Sequence, residues 1–290
     1  MKRDKVIAYA VLGGIPHYLN QFRPECSIAE NIKQNILTKG SVLYSEVEFL
    51  LHQELRETPI YNSIIEAIAL GNTRLNDISR KSLVEDTSKT SVYLKNLIEL
   101  GIVEREFSVD TGIKERANIN RGRYRLTDNF FRFWYAFGYA NISQLEDGDT
   151  EGVYDYLVEP ALHEFASPVF EDICREFVRE QQKKNALPFR YTKMGRWWGK
   201  TTVRDNSTDS RLRVAETEID LLAVGKDAKE YLDTAAKLSP LKGKAKFWYA
   251  LFSESGFDDK LREEAGKSEG LYLYDLETII NCKYFCDCNL

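Results

Sequence analysis

The chain has 290 residues, of which 43% are hydrophobic and 29% are charged, and its formal net charge is −5. This length suffices for about two domains with packed cores. The negative charge excludes a uniformly basic nucleic-acid-binding protein, so any contact with DNA would have to be local. The sequence contains no run of about 18 apolar residues and no signal-peptide pattern, so we expect a cytoplasmic protein without membrane contact.

The five cysteines do not form a disulfide pattern. Cys26 and Cys174 stand alone in the sequence, which favours a reducing compartment such as the cytoplasm. Cys282, Cys286 and Cys288 lie close together and could bind zinc with a fourth ligand from elsewhere. Their spacing differs from the paired CxxC form of most zinc sites, so we interpret them as buried or terminal thiols.

The first 57 residues are predicted to be helical but too interrupted to form a complete domain. An apolar stretch over residues 6–22 contains a Gly-Gly pair and a proline, which indicates a helix, a tight turn and a second short helix. Ser27 and Glu30 form a capping-box pattern at the start of another helix, and a further helix is predicted over 45–55. We interpret residues 1–57 as the helical remnant of a larger domain.

Residues 58–145 contain the clearest succession of elements in the chain. A strand is predicted from Ile102 onward, then a turn near Gly112 and a partner strand over Arg121–Leu126. Before them, apolar residues repeat at helical spacing in three segments, which are 59–69, 74–81 and 86–100. Three helices followed by a two-stranded hairpin is the element order of a winged-helix domain.

The third helix and the second hairpin strand carry the candidate DNA-binding residues. On the strand, Arg121, Arg123 and Arg125 alternate, so a period of two places them on one face, where they could bind phosphates. The alternative is a solvated strand face neutralised by Glu104 and Glu106 across the hairpin. On the helix, the outward positions hold short polar and basic side chains that can contact phosphates or base edges, namely Ser88, Lys89, Thr90, Ser91 and Lys95.

An aromatic helix is predicted after Asp128. Five of the eight residues at 130–137 are Phe or Trp, and these side chains could stack on bases. Aromatic residues on all sides of a helix are more typical of a helix buried between two domains, and we adopt this interpretation. The acidic stretch from Glu146 to Glu151 would then be a linker to the next domain.

Residues 146–290 alternate between helices and strands. We expect a helix over 153–184, whose first half Pro160 and Pro168 interrupt. The predicted strands are 189–198, 216–224, 247–252 and 271–276. A charged helix is predicted at 258–267, between the last two strands. This succession predicts an α/β sandwich, so the whole chain would combine α+β and α/β architecture.

The tripeptide Gly199-Lys200-Thr201 is similar to the end of a phosphate-binding P-loop. A P-loop needs the pattern Gly-x-x-x-x-Gly-Lys-[Ser/Thr], so that successive backbone N–H groups surround the phosphates. Here the preceding glycine, Gly195, is one residue too close, and two tryptophans fill positions where a phosphate would approach the backbone. We therefore do not expect this chain to bind ATP.

Two acidic residues are candidate ligands for a magnesium ion. Asp220 lies in an apolar strand, where an unpaired carboxylate would be costly to bury, and Glu171 lies on the preceding helix. Together they could bind Mg²⁺, which prefers oxygen ligands, in the catalytic site of a nuclease. Such a site also needs an acid and a lysine two residues apart. Asp233 and Lys237 would lie roughly 13 Å apart on a strand and cannot replace that pair.

Several segments together resemble the archaeal-type ATPases of the AAA+/STAND kind. The segments are Ile7–Leu19, Asn62–Glu106, Tyr124–Tyr135, Phe170–Phe177, Gly195–Trp198, Glu218–Leu221 and Ala250–Phe257. The resemblance implies a helical lid segment, a winged helix and a final domain of unknown function with a restriction-endonuclease-like, PD-(D/E)XK fold. It also implies an N-terminal ATPase domain with Walker motifs, which this sequence lacks, so we expect a C-terminal remnant.

The resemblance implies that Glu171 and Asp220 match the nuclease-like site, whereas the acid-x-lysine strand is missing between Lys229 and Leu238. We therefore expect a degenerate nuclease-like domain in a non-ATPase module that binds DNA or a partner protein. One alternative is a magnesium-dependent nuclease that recruits a lysine such as Lys237. The other is an assembly module that binds an ATPase partner or a second copy of the chain.

Overall fold

A computed structural model of the chain describes residues 2–84, 86–118, 121–204, 212–225, 248–268 and 270–281. These residues are mainly helical, and their strands form three separate two-stranded ladders. This is a mixed helix and sheet architecture compatible with the predicted α+β class. The first two ladders are antiparallel and the third is parallel.

The N-terminal part is helical, as predicted. The capping box is confirmed, because the Glu30 amide donates to Ser27 Oγ at 3.1 Å and the Ser27 amide donates to Glu30 Oε2 at 2.8 Å. A single turn of wider π-helix over Lys33–Leu37 follows the third helix. The helices are Lys2–Leu12 (α1), Pro16–Leu19 (α2), Ile28–Ile32 (α3) and Glu46–Glu54 (α4).

The next region has the predicted order of three helices and a hairpin. Asp86 is the N-cap of the third helix and accepts a hydrogen bond from the Ser88 amide at 2.7 Å. The elements are Thr58–Ala69 (α5), Leu75–Lys81 (α6), Thr87–Glu99 (α7), Val103–Glu106 (β1) and Arg123–Leu126 (β2). The strands pair antiparallel, with Glu104 opposite Arg125 and Glu106 opposite Arg123.

The second hairpin strand begins two residues later than predicted. Gly122 precedes β2 with a φ of +89°, and a Cβ atom at this position would lie 2.8 Å from the Glu106 carbonyl oxygen. The chain therefore completes its turn at a residue that must be glycine, and Arg121 lies outside the strand. The amide of Tyr124 donates to the carbonyl of Thr73 at 2.7 Å, so the segment between α5 and α6 joins the free edge of β2.

The aromatic helix is buried, as we inferred. It comprises Asn129–Phe133 (α8) and a π-helical turn over Trp134–Gly138. Phe130 packs on Tyr18, with ring centroids 4.8 Å apart, and Trp134 packs on Tyr44 at 5.1 Å. One hydrophobic cluster runs continuously from Val11 to Val158, so the principal core is not divided at the predicted boundaries between residues 57 and 58 or 145 and 146.

The acidic stretch that we expected to be a linker is instead packed against the N-terminal helices. It lies in Ile142–Glu146 (α9) and Thr150–Val153 (α10) and the turn between them. Glu146 accepts a hydrogen bond from the Tyr44 hydroxyl at 2.7 Å and pairs with Lys39, and Glu151 lies 2.6 Å from Lys33. The linker prediction is wrong because these carboxylates serve as partners for basic side chains of the first region.

A long helix follows without the predicted interruption. After a π-helical turn at Tyr154–Val158, Glu159–Lys183 (α11) is continuous. Pro160 lies in its first turn, where the missing N–H costs nothing. Pro168 lies inside and removes a backbone hydrogen bond, at a cost of about 3 kcal/mol. The buried side chains of Val169 and Ile173 on the following turns supply packing that offsets this cost.

In the C-terminal part the first two strands are longer than predicted and the last two are slightly shorter. The strands of the antiparallel hairpin pair along their whole length, from Tyr191 opposite Gly225 to Arg204 opposite Leu212. A helix connects the two parallel strands, as their direction requires. The elements are Tyr191–Arg204 (β3), Leu212–Gly225 (β4), Tyr249–Ser253 (β5), Asp259–Lys267 (α12), Leu271–Asp275 (β6) and Leu276–Ile280 (α13). Leu276, predicted to end a strand, begins a helix capped by Asp275.

Helix α1 connects two hydrophobic cores. Its residues Val11 and Leu12 belong to the aromatic core, whereas Val6 and Ala10 pack with the apolar face of α11 and with α13. The first helix is thus held on both sides. Helices α8, α11 and α13 all pack against α1.

Candidate functional site

The outer face of α7 carries most of the predicted recognition residues. Ser88, Lys89 and Lys95 are exposed and Ser91 is half-buried. The Lys95 ammonium lies 3.7 Å from Glu99, one turn further along the helix. This face therefore presents hydroxyl and ammonium groups to solvent. It also presents Val92, whose side chain is 58% exposed.

Thr90 does not belong to that face. Its side chain is completely buried, and its hydroxyl donates to the Asp86 carbonyl at 3.1 Å. The helical period places Thr90 on the same side as Leu94 and Leu97, which are also buried. The prediction that Thr90 points outward is wrong, because one helical turn after the N-cap Asp86 brings the fourth residue to the side that faces the core.

The arginines of the hairpin face the rest of the protein rather than solvent. The Arg123 guanidinium lies 2.6 Å from Glu218 on β4 and stacks over the ring of Trp198 at 4.5 Å. Arg125 pairs with Glu104 across the hairpin, as we considered, and also with Asp172 on α11 at 3.0 Å. Arg121 is separated from them, being exposed and 3.5 Å from Glu115.

The segment after β1 attaches the hairpin to β3. The Val109 amide donates to the Arg196 carbonyl at 2.8 Å, and the Trp197 indole N–H donates to Asp110 at 3.0 Å. Val109, Trp197 and Leu222 form a small hydrophobic cluster beneath these bonds. The outer face of the hairpin β1–β2 is therefore a docking face, and its charged side chains lie at an internal interface.

A cluster of partly buried ion pairs lies at this interface. Arg196 pairs with Glu171. It also lies 3.2 Å from Glu106, so this carboxylate of the hairpin has a partner outside the hairpin. Arg175 is only 5% exposed and pairs with Asp172. Burial, together with the neighbouring Arg196, lowers the pKa of Arg175 to about 10. Burial alone would lower the pKa of Arg196, but Glu171 and Glu106 outweigh it and raise that pKa.

Arg175, Arg196 and Asp172, which are central to this cluster, were not among the predicted site residues. The sequence signal that could have indicated them is a charged residue next to buried positions of a helix. Asp172 and Arg175 have this pattern, since they flank Ile173 and Cys174 on α11. A charge on the buried side of a helix requires a partner. The partners themselves come from distant parts of the chain, so no local pattern indicates them.

The two predicted magnesium ligands lie in different environments. Glu171 is half-buried, and burial raises its pKa although Arg196 acts in the opposite direction. Asp220 is exposed, and its backbone carbonyl accepts a hydrogen bond from Arg175 at 3.2 Å. The expectation that Asp220 is a costly buried acid is therefore wrong.

The geometry around Glu171 is that of an ion pair. The register between β3 and β4 shifts near Arg196, which lies opposite both Asp220 and Leu221. This irregularity places the Arg196 guanidinium on Glu171. Among the residues that the structure describes, no group of three or more His, Cys, Asp or Glu side chains could hold a metal ion. Lys237 and the three C-terminal cysteines lie outside the described residues.

The segment Gly199-Lys200-Thr201 lies within a strand. It forms part of β3 and pairs with Thr217, Glu216 and Ala215 of β4. Phosphate-binding loops instead precede a helix, whose N-terminal amides point toward the phosphates. The backbone amides of an antiparallel ladder are used in pairing and do not form such a cradle.

A cleft of about 470 Å³ lies between the hairpin, α11 and β3. Its lining includes apolar Val169, Ile173 and Met194 beside the ion pair of Arg175 and Asp172. The described arginines and carboxylates along this wall pair with one another. The cleft therefore presents no clear excess of one charge that would select an anion or a cation.

Comparison with known proteins places part of the chain in context. Residues 134–246 match the family DUF234, described as archaea bacterial proteins of unknown function. An uncharacterized protein of Methanocaldococcus jannaschii is 32% identical over 262 residues, which are 88% of this chain and 54% of that protein. The chain thus spans about half the length of this relative. No solved structure matches this chain significantly.

These matches support a DUF234 domain and an archaeal relative, whereas membership of the AAA+ ATPases is not shown by them. The match to the family begins inside the aromatic helix and includes α11, β3 and β4. It therefore covers both carboxylates, Glu171 and Asp220, and excludes α7. Within the described ranges, each helix is too short or too polar to cross a membrane.

Proposed function

We propose that the chain is a DNA-binding module that contacts duplex DNA through the exposed face of α7. The observation that carries this proposal is the exposure of Ser88, Lys89 and Lys95 on one side of a helix that follows α6 after a short turn. Short hydroxyl side chains and lysines on a helix are suited to contacts with phosphates and base edges in the major groove.

A winged-helix interpretation of residues 58–145 supports this assignment. Helices α5, α6 and α7 precede the hairpin, and the bond from Tyr124 to Thr73 adds the α5–α6 connection to the hairpin edge. The inner side of the hairpin packs on the helices through Val103, Tyr124 and Leu126, all of which are buried. Helix α7 thereby keeps its opposite face in solvent.

The strand arginines have a different role in this proposal from the one suggested by their alternation. Arg123 and Arg125 are paired with Glu218 and Asp172, so the hairpin face that we expected to bind phosphates is used for docking. The initial contact with DNA therefore depends on α7. A chain with a net charge of −5 needs such a local basic face to approach a polyanion.

For the part after residue 146 we propose a scaffold role, in a degenerate nuclease-like domain. Glu171 is neutralised by Arg196, and the two side chains hold β3 against α11. A carboxylate engaged in this way is a poor ligand for a metal ion, because binding the ion would break its partly buried ion pair with Arg196. We therefore favour DNA binding without cleavage over a magnesium-dependent nuclease.

Fluorescence anisotropy with a labelled random duplex tests the proposal. Wild-type protein should bind at low salt, with an affinity that falls as salt rises. Lys89→Ala/Lys95→Ala should bind more weakly and reduce the slope of log K against log salt by about 2, because each lost phosphate contact removes about 0.9.

The matched control is Lys260→Ala/Lys267→Ala, which removes two exposed lysines from α12. It should leave the salt slope unchanged. Equal slopes for the α7 variant and the wild type would contradict the proposed contact, as would a wild type that fails to bind at about 50 mM salt.

A further inference from the structure

Three exposed carboxylates occupy alternate positions of β4. They are Glu216, Glu218 and Asp220, with Thr217 and Ile219 between them. Alternate residues of a regular strand share a face and lie about 7 Å apart, so Glu216 and Glu218 lie on one face. Asp220 follows at the register shift near Arg196, where the alternation is interrupted. We call these three carboxylates the acidic row.

The acidic row is opposed by arginines of the helix–hairpin region. Glu216 lies 3.0 Å from Arg74, the N-cap residue of α6, and Glu218 lies 2.6 Å from Arg123 on β2. The two arginines are neighbours, because the Thr73 carbonyl accepts from the Tyr124 amide. Two adjacent basic groups on the proposed DNA-binding region are therefore both occupied by carboxylates of the same strand.

The two contacts differ in exposure. The side chains of Arg74 and Glu216 are 54% and 58% exposed, and those of Arg123 and Glu218 are 23% and 39% exposed. An ion pair as exposed as the first contributes little to stability and is weakened by salt, and the carboxylate of the second is still open to solvent. A phosphate group could replace either carboxylate without opening the buried part of the interface, where Arg196 and Trp197 make the docking contacts. Arg123 would retain its stacking on Trp198.

We infer that the acidic row is an autoinhibitory contact, in which Glu216 and Glu218 occupy two arginines that otherwise bind nucleic-acid phosphates. This inference rests on the proposed DNA binding and adds a second contact surface to the α7 face. DNA bound at α7 competes with the acidic row for Arg74 and Arg123. Affinity in the wild type is thereby held below the value that the basic groups permit.

The test is Glu216→Gln/Glu218→Gln in the full chain, measured by anisotropy against a labelled random duplex over a range of salt. The variant should bind severalfold more tightly at about 100 mM salt and should steepen the slope of log K against log salt by about 2, for two released phosphate contacts. Glu263→Gln/Glu264→Gln on α12 removes the same charge from exposed positions elsewhere and should leave the slope unchanged.

Adding Arg74→Ala/Arg123→Ala to the glutamine variant should abolish both the gain and the steeper slope. A gain that survives these substitutions, or a slope equal to that of the α12 control, would overturn the inference while leaving binding through α7 intact. Failure of every protein to bind the duplex would overturn the inference and the proposed function together. Far-ultraviolet circular dichroism shows whether each variant is folded.

Discussion

The two interfaces that hold the chain together differ in chemistry. The aromatic helix α8 and its π-helical extension join the N-terminal helices to α11 through aromatic rings, such as the completely buried Phe133 against the partly buried Phe165 at 5.6 Å. The hairpin β1–β2 joins α11 and β3 through ion pairs, among them Glu106 with Arg196 and Arg125 with Asp172.

Because of this difference in chemistry, we expect the two interfaces to respond differently to pH and ionic strength. Apolar packing depends little on pH or ionic strength, since its driving force is the removal of surface from water. Ion pairs depend on both, and removing one partner leaves the other buried and uncompensated. We therefore expect the aromatic interface to set stability and the charged interface to make that stability dependent on pH.

The largest effect is expected for Phe133→Ala. Phe133 is completely buried and contacts the rings of Phe137 and Phe165. Removing a buried phenylalanine ring costs about 3–5 kcal/mol through lost burial and the cavity that remains. Urea unfolding followed by circular dichroism measures the change. Phe49→Ala, at a side chain that is 60% exposed, should change the free energy of unfolding by less than about 0.5 kcal/mol.

If Phe133→Ala and Phe49→Ala had similar effects, the aromatic interface would not be the main source of stability. The aromatic and charged interfaces would then not differ, as proposed, in their contribution to the free energy of unfolding. The same pair measured at about 1 M salt should give unchanged differences, because neither substitution alters a charge.

A smaller and pH-dependent effect is expected for Arg196→Ala. The substitution leaves Glu171 and Glu106 without their common partner, at a cost of about 3 kcal/mol near neutral pH. Burial already raises the pKa of Glu171 in the folded protein, and losing Arg196 raises it further. A group with a raised folded pKa favours folding at low pH and loses that contribution as pH rises through the folded pKa.

Urea unfolding of Arg196→Ala at pH 5 and pH 7 measures this dependence. The variant should lose less stability at the lower pH, where a larger fraction of Glu171 is protonated because its pKa is raised. Arg179→Ala is the matched control, because Arg179 pairs with Glu176 at the surface of the same region. The control should lose less than about 1 kcal/mol at both values. A loss for Arg196→Ala that is equal at the two pH values would show that Glu171 is not the group left uncompensated.

The smallest effect concerns the edge of the docked hairpin. Trp197→Phe removes the indole donor to Asp110 while keeping most of the ring, and should cost about 1 kcal/mol. Asp110→Ala removes the same hydrogen bond from the other side. A double-mutant cycle in urea should give a total effect smaller than the sum of the single effects. Strict additivity would indicate that this bond does not stabilise the docked position.

Local patterns were sufficient for many elements. The period of apolar residues located α5 and α7, the capping-box pattern at Ser27 marked a helix start, and the aromatic run at 130–137 indicated a buried helix. These features depend on interactions within one or two turns of backbone. The proline at 168 misled the prediction of α11, because packing around the helix overcame the local penalty.

The candidate site was harder to predict from the sequence. Ser88, Lys89 and Lys95 lie outward as their helical period indicated, but Thr90 does not. The alternation of Arg123 and Arg125 correctly indicated a shared face. What that face contacts depends on Glu218 and Asp172, which are far away along the chain. A charge pattern in the sequence indicates which charged side chains could form ion pairs, but it does not indicate which of them pair with one another.

The sequence by itself therefore determined the positions and types of most elements, since hydrogen bonding and hydrophobic period act over a few residues. The tertiary structure alone decided which arginines face solvent and which lie at an interface. Ion pairs form between groups brought together by the packing of α1, α8 and α11, and a buried charge is tolerated only where that packing supplies its partner. The role of each arginine thus follows from the docking of the hairpin.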